Sequence, residues 1–206
     1  VSTSCAARRL RSVDVTKNSL DLPDAVSFEV SAPVSLLGVG LYGGEGEYLV
    51  TVRIRDGRRS NKSPEIFSHT GAFASATTAP CRFEFPTGVQ LQPSRRYTIV
   101  GDFSATAPGR RAWCGAAGAE EVTDHGVTFN FFHCDGPDNG TSPSSGQFPV
   151  LFFRPIERRA VSSAASATVS SRAQHCMLAL SDGSLLLCGG TDGSVKADQY
   201  RSYDSG

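Results

Sequence analysis

The sequence predicts an all-β fold, an antiparallel β-sandwich or barrel, and three observations support this prediction. Residues 48–55 alternate apolar and polar side chains with a period of two, which is typical of a strand with one face on a core and the other in water. Segments of this kind recur about every dozen residues between positions 25 and 153, the spacing of a sandwich or barrel. No segment before residue 160 has convincing helical periodicity.

Each predicted strand has its own pattern. In the amphipathic segments alternate residues face the core, as Val26, Phe28 and Val30 do in the first of them. The second and the last segments are apolar on both faces, which suits central strands. Clusters of Gly, Pro, Asn and Asp at 43–46, 55–58, 107–110 and 135–140 mark turns. In chain order the predicted strands are 26–30, 34–41, 48–55, 82–85, 97–103, 127–131 and 148–153.

The last part of the chain differs in character. Ser and Ala make up most of residues 160–173, a composition that favours a linker over a short helix. Beyond it, 177–180 and 185–188 are predicted strands, and the Asp182-Gly183 pair between them indicates a hairpin. We therefore predict a sandwich domain over 1–155, a linker over 156–173 and a β-hairpin extension over 174–206.

The composition limits the partners and the cellular setting. The 206 residues carry 20 Lys and Arg and 20 Asp and Glu, so the formal net charge is zero and no global field attracts nucleic acid or an anionic membrane. No apolar stretch approaches the roughly 18 residues of a membrane span. The six cysteines are dispersed without a CxxC pair, which favours free thiols in a reducing compartment. We expect an intracellular, cytoplasmic domain that is monomeric when isolated, with no nucleic-acid partner and no membrane insertion.

The sequence contains no motif that signals a particular chemistry. The glycine-rich run at 38–44 is followed at once by a predicted strand, whereas a dinucleotide-binding loop needs a helix whose amides receive the phosphate. The four histidines form no HxH, HxxxH or HExxH pair for a catalytic zinc, and no GxSxG elbow marks a serine nucleophile. Asp135, Asp138 and Asn139 lack EF-hand spacing and are typical of a turn. We predict no catalytic residue, no cofactor and no metal ligand.

Several motifs together resemble the PHR domain, a module of the Pam/Highwire ubiquitin ligases and of BTB-domain adaptor proteins. The specific ones are GVGLYGG at 38–44 and NGT at 139–141 followed by GQFPVL at 146–151. Supporting segments lie at 24–30, 46–48, 85–97 and 126–129, so the likeness covers residues 24–153. The resemblance implies a β-sandwich of jelly-roll type. It also implies a non-catalytic role, because in this family ligase chemistry resides in a RING-type region or a recruited cullin, and the domain engages partners.

We therefore expect a protein-protein interaction module of a large intracellular ubiquitin ligase or related scaffold, which recruits protein partners through loops at one end of the sandwich. Aromatic and arginine side chains are frequent anchors in such interfaces. The alternative is a jelly-roll carbohydrate-binding module or enzyme domain that uses the same loops, which a concave pocket with converging carboxylates would favour. The candidate partner-binding residues are Tyr42, Glu45, Glu47, Arg110, Arg111, Trp113, Asp138 and Asn139.

The tail has a second, weaker likeness. Gly189-Gly190 and Asp192-Gly193, with the tyrosines that follow, resemble one kelch blade. A single blade does not bury its own faces, because propellers are arrays of repeats. The extension over 174–206 therefore either packs on the sandwich or begins a kelch-like propeller.

Overall fold

A computed structural model describes residues 4–18, 22–44, 46–75, 77–105, 112–136, 139–156, 176–179, 185–189, 191 and 199–202. These residues form fifteen strands and no helix, so none of their segments is a helix long and apolar enough to cross a membrane. The chain divides into two compact units, Val1–Arg158 and Arg159–Gly206. In chain order the strands are β1 (Cys5–Arg8), β2 (Ser12–Asn18), β3 (Asp24–Val30), β4 (Val34–Leu41), β5 (Gly46–Asp56), β6 (Glu65–Ser75), β7 (Cys81–Leu91), β8 (Tyr97–Ala105), β9 (Ala112–Ala116), β10 (Glu121–Asp124), β11 (Val127–Phe132), β12 (Val150–Pro155), β13 (Cys176–Ala179), β14 (Leu185–Cys188) and β15 (Gln199–Ser202).

The first unit is an antiparallel β-sandwich, as the sequence predicts. One sheet has six strands in the order β10-β11-β3-β8-β5-β6, and the other has four in the order β1-β12-β4-β7. The pair β2–β9 forms a small third sheet. The strands β4 and β12, predicted to be central because they are apolar on both faces, each have a neighbour on both sides. The jelly-roll connectivity that the resemblance implies stays a prediction.

Aromatic rings fill the space between the two large sheets. Phe129 of β11 meets Phe153 of β12 with ring centroids 4.9 Å apart, and Phe28 of β3 lies 6.2 Å from Phe129. All three side chains are fully buried, and burial of each contributes about 1.5–3 kcal/mol. The period-two prediction for β5 is confirmed, because Tyr48 and Ile54 are fully buried and the residues between them alternate in exposure.

Five strands of this unit have no counterpart in the sequence prediction: β1, β2, β6, β9 and β10. The longest, β6, pairs with β5 from Gly46↔Ser75 to Arg55↔Glu65. It is the last strand of its sheet, and only Ser75 among its residues is buried. Its alternate residues are half-buried, and Phe67 and Phe73 among them pack on the core. The residues between those two on the same face are His69 and Gly71, so the sequence lacks the apolar alternation on which the prediction depends.

The strand predicted over 82–85 is longer in the structure, from Cys81 to Leu91, and the predicted start of the last sandwich strand was wrong. The strand expected over 148–153 begins at Val150, because Phe148 has a φ of 60°, outside the range of extended backbone. Phe148 is nevertheless fully buried. Its ring lies against Gly101 of β8, where an added Cβ would stand 2.9 Å from the ring.

The second unit contains the two predicted strands and one more. In it β13 pairs with β14 in the register Met177↔Leu187, and β15 pairs with the other edge of β14. The predicted linker over 160–173 and the Asp182-Gly183 turn lie outside the described residues. The domain boundaries and the choice between a packed extension and a kelch-like blade stay predictions.

Candidate functional site

The loop before β12, residues 139–148, has an irregular backbone conformation. Ser142 and Ser145 form an isolated antiparallel bridge, with the Ser142 N–H donating to the Ser145 carbonyl at 3.0 Å. Gly146 has a φ of 99° and Phe148 a φ of 60°. A loop with this conformation does not pair along its length with a neighbouring strand. Its backbone N–H and carbonyl groups therefore need hydrogen-bond partners elsewhere in the protein.

Arg9 supplies many of those partners from the segment that follows β1. The residue is fully buried, and its guanidinium carbon lies 5.5 Å from the centroid of the Phe131 ring. Burial lowers the pKa of Arg9 to about 10, so the side chain stays charged at neutral pH. The guanidinium donates to the carbonyl oxygens of Pro143 at 2.8 Å, Phe148 at 3.4 Å, Ser145 at 3.5 Å, Ser142 and Gln147.

Gln147 connects this loop to two other segments. Its amide oxygen accepts from the Tyr42 N–H at 2.9 Å, and its amide nitrogen donates to the Tyr42 carbonyl at 3.1 Å and to the Trp113 carbonyl at 2.8 Å. The Gln147 side chain is buried, so these bonds are protected from water. One side chain therefore fixes the end of β4 and the strand β9 against the 139–148 loop.

A second buried pair fixes the start of the same loop. The Thr141 hydroxyl donates to the Asp24 carboxylate at 2.5 Å and accepts from the Gln147 N–H at 3.1 Å. Both Thr141 and Asp24 are buried. The Asn139 N–H donates to the Pro23 carbonyl at 2.8 Å, so the loop is tied to the entry of β3 as well.

The backbone of Trp113 is fixed by the same set of hydrogen bonds. Its N–H donates to the Gly43 carbonyl at 2.6 Å, and its carbonyl accepts from Gln147. Two residues further on, Gly115 and Gly146 exchange backbone hydrogen bonds at 2.8 and 2.9 Å. Trp113 is half-buried. The tryptophan therefore has a fixed backbone and a side chain that is neither fully exposed nor part of the sandwich core.

The structure brings some of the sequence-predicted site residues together and not others. Tyr42 is 2% exposed, and burial raises the pKa of its hydroxyl. Its backbone N–H and carbonyl bond to the Gln147 side chain, so it helps to hold the loops in place. We call the 139–148 loop, together with the segments bonded to it through Arg9, Thr141 and Gln147, the loop assembly. Trp113 and Asn139 are half-buried within it. Glu47 is exposed on β5. The positions Glu45, Arg110, Arg111 and Asp138 lie outside the described residues.

Sequence reasoning missed the four residues that build this assembly: Arg9, Asp24, Thr141 and Gln147. Thr141 and Gln147 lie inside the NGT and GQFPVL motifs, so the motifs were the available signal. Arg9 gives no signal, because an arginine beside Arg8 and Arg11 is typical of a solvated segment.

Comparison with known proteins identifies the family of the first unit. The family model for the PHR domain matches residues 9–154. The chain belongs to the PHR domain family. The match begins at Arg9, fifteen positions before the motifs that carry the resemblance in the sequence, and it therefore includes the buried arginine.

The relatives of this PHR domain are much longer proteins. The chain is 30% identical over 138 residues to the E3 ubiquitin-protein ligase MYCBP2 of Danio rerio, covering 64% of this chain and 3% of that protein. It is 29% identical over 142 residues to the E3 ubiquitin-protein ligase highwire of Drosophila melanogaster, with 64% and 3% covered. It is 34% identical over 134 residues to BTB/POZ domain-containing protein 6-A of Danio rerio, with 63% and 23% covered.

Two hollows lie on the surface of the PHR domain. One, of about 320 Å³, is lined by Glu120, Glu121 and His133 together with residues of β11 and Pro143. The other, of about 430 Å³, lies between β6 and β7 and is lined by His69, Phe83 and their neighbours. The first contains two carboxylates, and both glutamates are exposed.

Proposed function

We propose that this PHR domain is a non-catalytic protein-interaction module of a larger intracellular protein, either a ubiquitin ligase or a BTB-domain adaptor. The names of the relatives support a ligase-associated role, since two of them are E3 ubiquitin-protein ligases. The chain spans only 3% of those proteins and about a quarter of the BTB/POZ relatives. The module would therefore present a binding surface while the chemistry of ubiquitin transfer takes place elsewhere in the protein.

The observation that carries the proposal is the rigid support beneath Trp113. Both backbone polar groups of this residue are hydrogen-bonded, to Gly43 and to Gln147. Large aromatic side chains on a fixed backbone are frequent energetic anchors of protein interfaces, because little conformational entropy is lost when a partner covers them. Trp113 would form the centre of the proposed surface, and Asn139 would contribute from the start of the 139–148 loop that Gln147 joins to Trp113.

The other sequence-predicted residues fit this surface in different ways. Arg110 and Arg111 precede Trp113 directly in the chain, and planar guanidinium groups suit contacts with carboxylates of a partner. Glu45 and Asp138 would add acidic contacts from the neighbouring loops. Tyr42, being buried, would act by holding the loops in place.

The test is quantitative affinity capture from cytosol with the 206-residue chain and its Trp113→Ala variant as baits. A matched control is Leu49→Ala, which truncates a large apolar residue that is 45% exposed on β5. We expect Trp113→Ala to lose at least one partner by about tenfold or more, as is typical of an interface anchor, and Leu49→Ala to retain it. A folded Trp113→Ala protein that retains every partner of the unsubstituted chain would refute the assignment of this surface.

The alternative function, a carbohydrate-binding or enzymatic jelly roll, is favoured by one specific feature, the hollow lined by Glu120 and Glu121. Glycoside hydrolases act through a pair of carboxylates, and small-molecule pockets combine aromatic side chains with a few polar groups; Phe132 belongs to the same lining. A glycan-binding screen with the chain and with the double variant Glu120→Gln, Glu121→Gln decides this point. Glycan binding that the double variant abolishes would establish the alternative.

A further inference from the structure

One edge of the sandwich brings together three side chains of different chemistry. The Cys5 thiol, the Asp124 carboxylate and the His125 imidazole each offer one ligand atom, and these atoms all lie within 4.8 Å of one another. Cys5 is 7% exposed, whereas the His125 side chain is 62% exposed. The cluster therefore has one side against the protein and another open to water.

The fold explains how residues so distant in sequence meet. Cys5 begins β1, the edge of the four-stranded sheet, and Asp124 ends β10, the edge of the six-stranded sheet. The Ala6 N–H donates to Asp124 Oδ2 at 2.9 Å, which places the carboxylate beside β1. The other oxygen, Oδ1, lies 3.9 Å from His125 Nε2.

The turn between β10 and β11 brings the two neighbouring ligands to the same side. His125 has a φ of 46° and Gly126 a φ of 75°. In an extended strand, Asp124 and His125 would point to opposite faces. The left-handed turn breaks that alternation, so both side chains reach the Cys5 thiol.

We propose that Cys5, Asp124 and His125 bind a Zn²⁺ ion, with a water molecule as the fourth ligand. Thiolate, imidazole and carboxylate are the donors that zinc takes in proteins, and three protein ligands with an open fourth position form a recurring site. Zn–S distances of about 2.3 Å and Zn–N or Zn–O distances of about 2.0 Å put tetrahedral ligand atoms roughly 3.3–3.6 Å apart. Contraction of the widest separation by about 1.2–1.5 Å closes the site, and the His125 side chain, which is 62% exposed, has room to rotate toward the other two ligands. The thiol proton passes to solvent as the Zn–S bond forms.

Such an ion would join the two sheets at their meeting edge. Because β1 and β10 belong to different sheets, the metal would cross-link segments that the described structure connects there through the bond from Ala6 to Asp124. Spacing along the sequence gives no sign of this site, because Cys5 and Asp124 are more than a hundred residues apart. The site would thus add a metal that the sequence alone does not predict.

The test uses Co²⁺ as a spectroscopic probe for zinc sites, on the reduced 206-residue chain. We expect a thiolate-to-cobalt charge-transfer band that Zn²⁺ displaces. Cys5→Ser is expected to lose the band, and Cys81→Ser, which removes a half-buried free thiol elsewhere, to keep it. His125→Asn retains a residue that tolerates the left-handed turn and is expected to weaken Co²⁺ binding by at least about tenfold.

The outcomes separate the proposal from its rivals. The proposal is overturned if the unsubstituted protein gives no thiolate band, or if the band survives in Cys5→Ser, which would locate the metal at another cysteine. If Cys5→Ser does not fold, His125→Asn decides, because its substitution lies at an exposed turn; unchanged Co²⁺ affinity in that variant also overturns the proposal.

Discussion

Replacing the buried Arg9 by methionine tests the reasoning about the loop assembly most directly. Methionine matches the length of the arginine stem but lacks the guanidinium, so the substitution removes the five hydrogen bonds to carbonyls of residues 142–148. Those carbonyls belong to a loop that regular strand pairing does not satisfy. We expect the loop to lose its fixed course and the whole domain to lose stability.

The size of the loss follows from two opposing effects. The close bonds to Ser142, Pro143 and Gln147 each contribute about 1.5–3 kcal/mol, as bonds from a charged donor do. Burial lowers the pKa of Arg9 from its ordinary value to about 10, which corresponds to a cost of about 3 kcal/mol for keeping the charged form inside. The bonds exceed the cost, so we expect Arg9→Met to lower the free energy of unfolding by about 2–5 kcal/mol.

Urea unfolding followed by tryptophan fluorescence is the assay, because the chain has one tryptophan and it lies on the affected assembly. The matched control is Arg8→Met, which removes an exposed guanidinium from the neighbouring position. We expect the control to change stability by less than about 0.5 kcal/mol. A loss below about 1 kcal/mol in Arg9→Met, or equal losses in the two variants, would refute the view that Arg9 organises the loop.

Two further substitutions test other parts of the structure. Gln147→Ala removes three buried amide bonds and leaves backbone groups unpaired, so we expect a loss of about 3 kcal/mol in urea unfolding; a loss no larger than that of the exposed Gln90→Ala would contradict this. Gly38→Ala brings a Cβ against the Phe83 carbonyl oxygen of β7. We expect the free energy of unfolding to fall by about 1–3 kcal/mol, which thermal unfolding detects as a lower midpoint. Gly126→Ala, with open space around its Cβ but a φ of 75°, should cost about 1 kcal/mol, and an equal or larger effect there would count against the close contact at Gly38.

The sequence predicted the sandwich well where burial alternates along a strand. Strand β5 is the clearest case, since every second residue from Tyr48 to Ile54 is buried, and apolar alternation records that burial directly. The strands β6 and β10 lie at the edges of their sheet, where alternate residues are only partly buried. Few of their core-facing residues are large and apolar, Phe67, Phe73 and Val122 among them, so the alternation in the sequence is weak and the register in the structure reveals these strands.

The loop assembly was less predictable for a different reason. The motifs at 139–141 and 146–151 drew attention to Thr141 and Gln147, but no pattern states that these side chains bond to Asp24 and to Tyr42. Arg9 is the extreme case, because its burial depends on five carbonyls that lie more than a hundred residues away. Such contacts form only in the assembled fold. The periodicity of a single sequence indicates which residues of one strand are buried, and it does not predict which distant residues bond to each other.

The pairing of β1 with β12 has a consequence for how this domain fits into a long protein. Cys5 lies directly opposite Phe153, so the chain enters and leaves the sandwich at points roughly 5 Å apart. A domain with adjacent ends can be inserted into a surface loop of a host without forcing the host's own segments apart. The match covers only 3% of two E3 ubiquitin-protein ligase relatives, and in a long chain of that kind gain or loss of a module with adjacent ends would leave the path of the surrounding chain nearly unchanged.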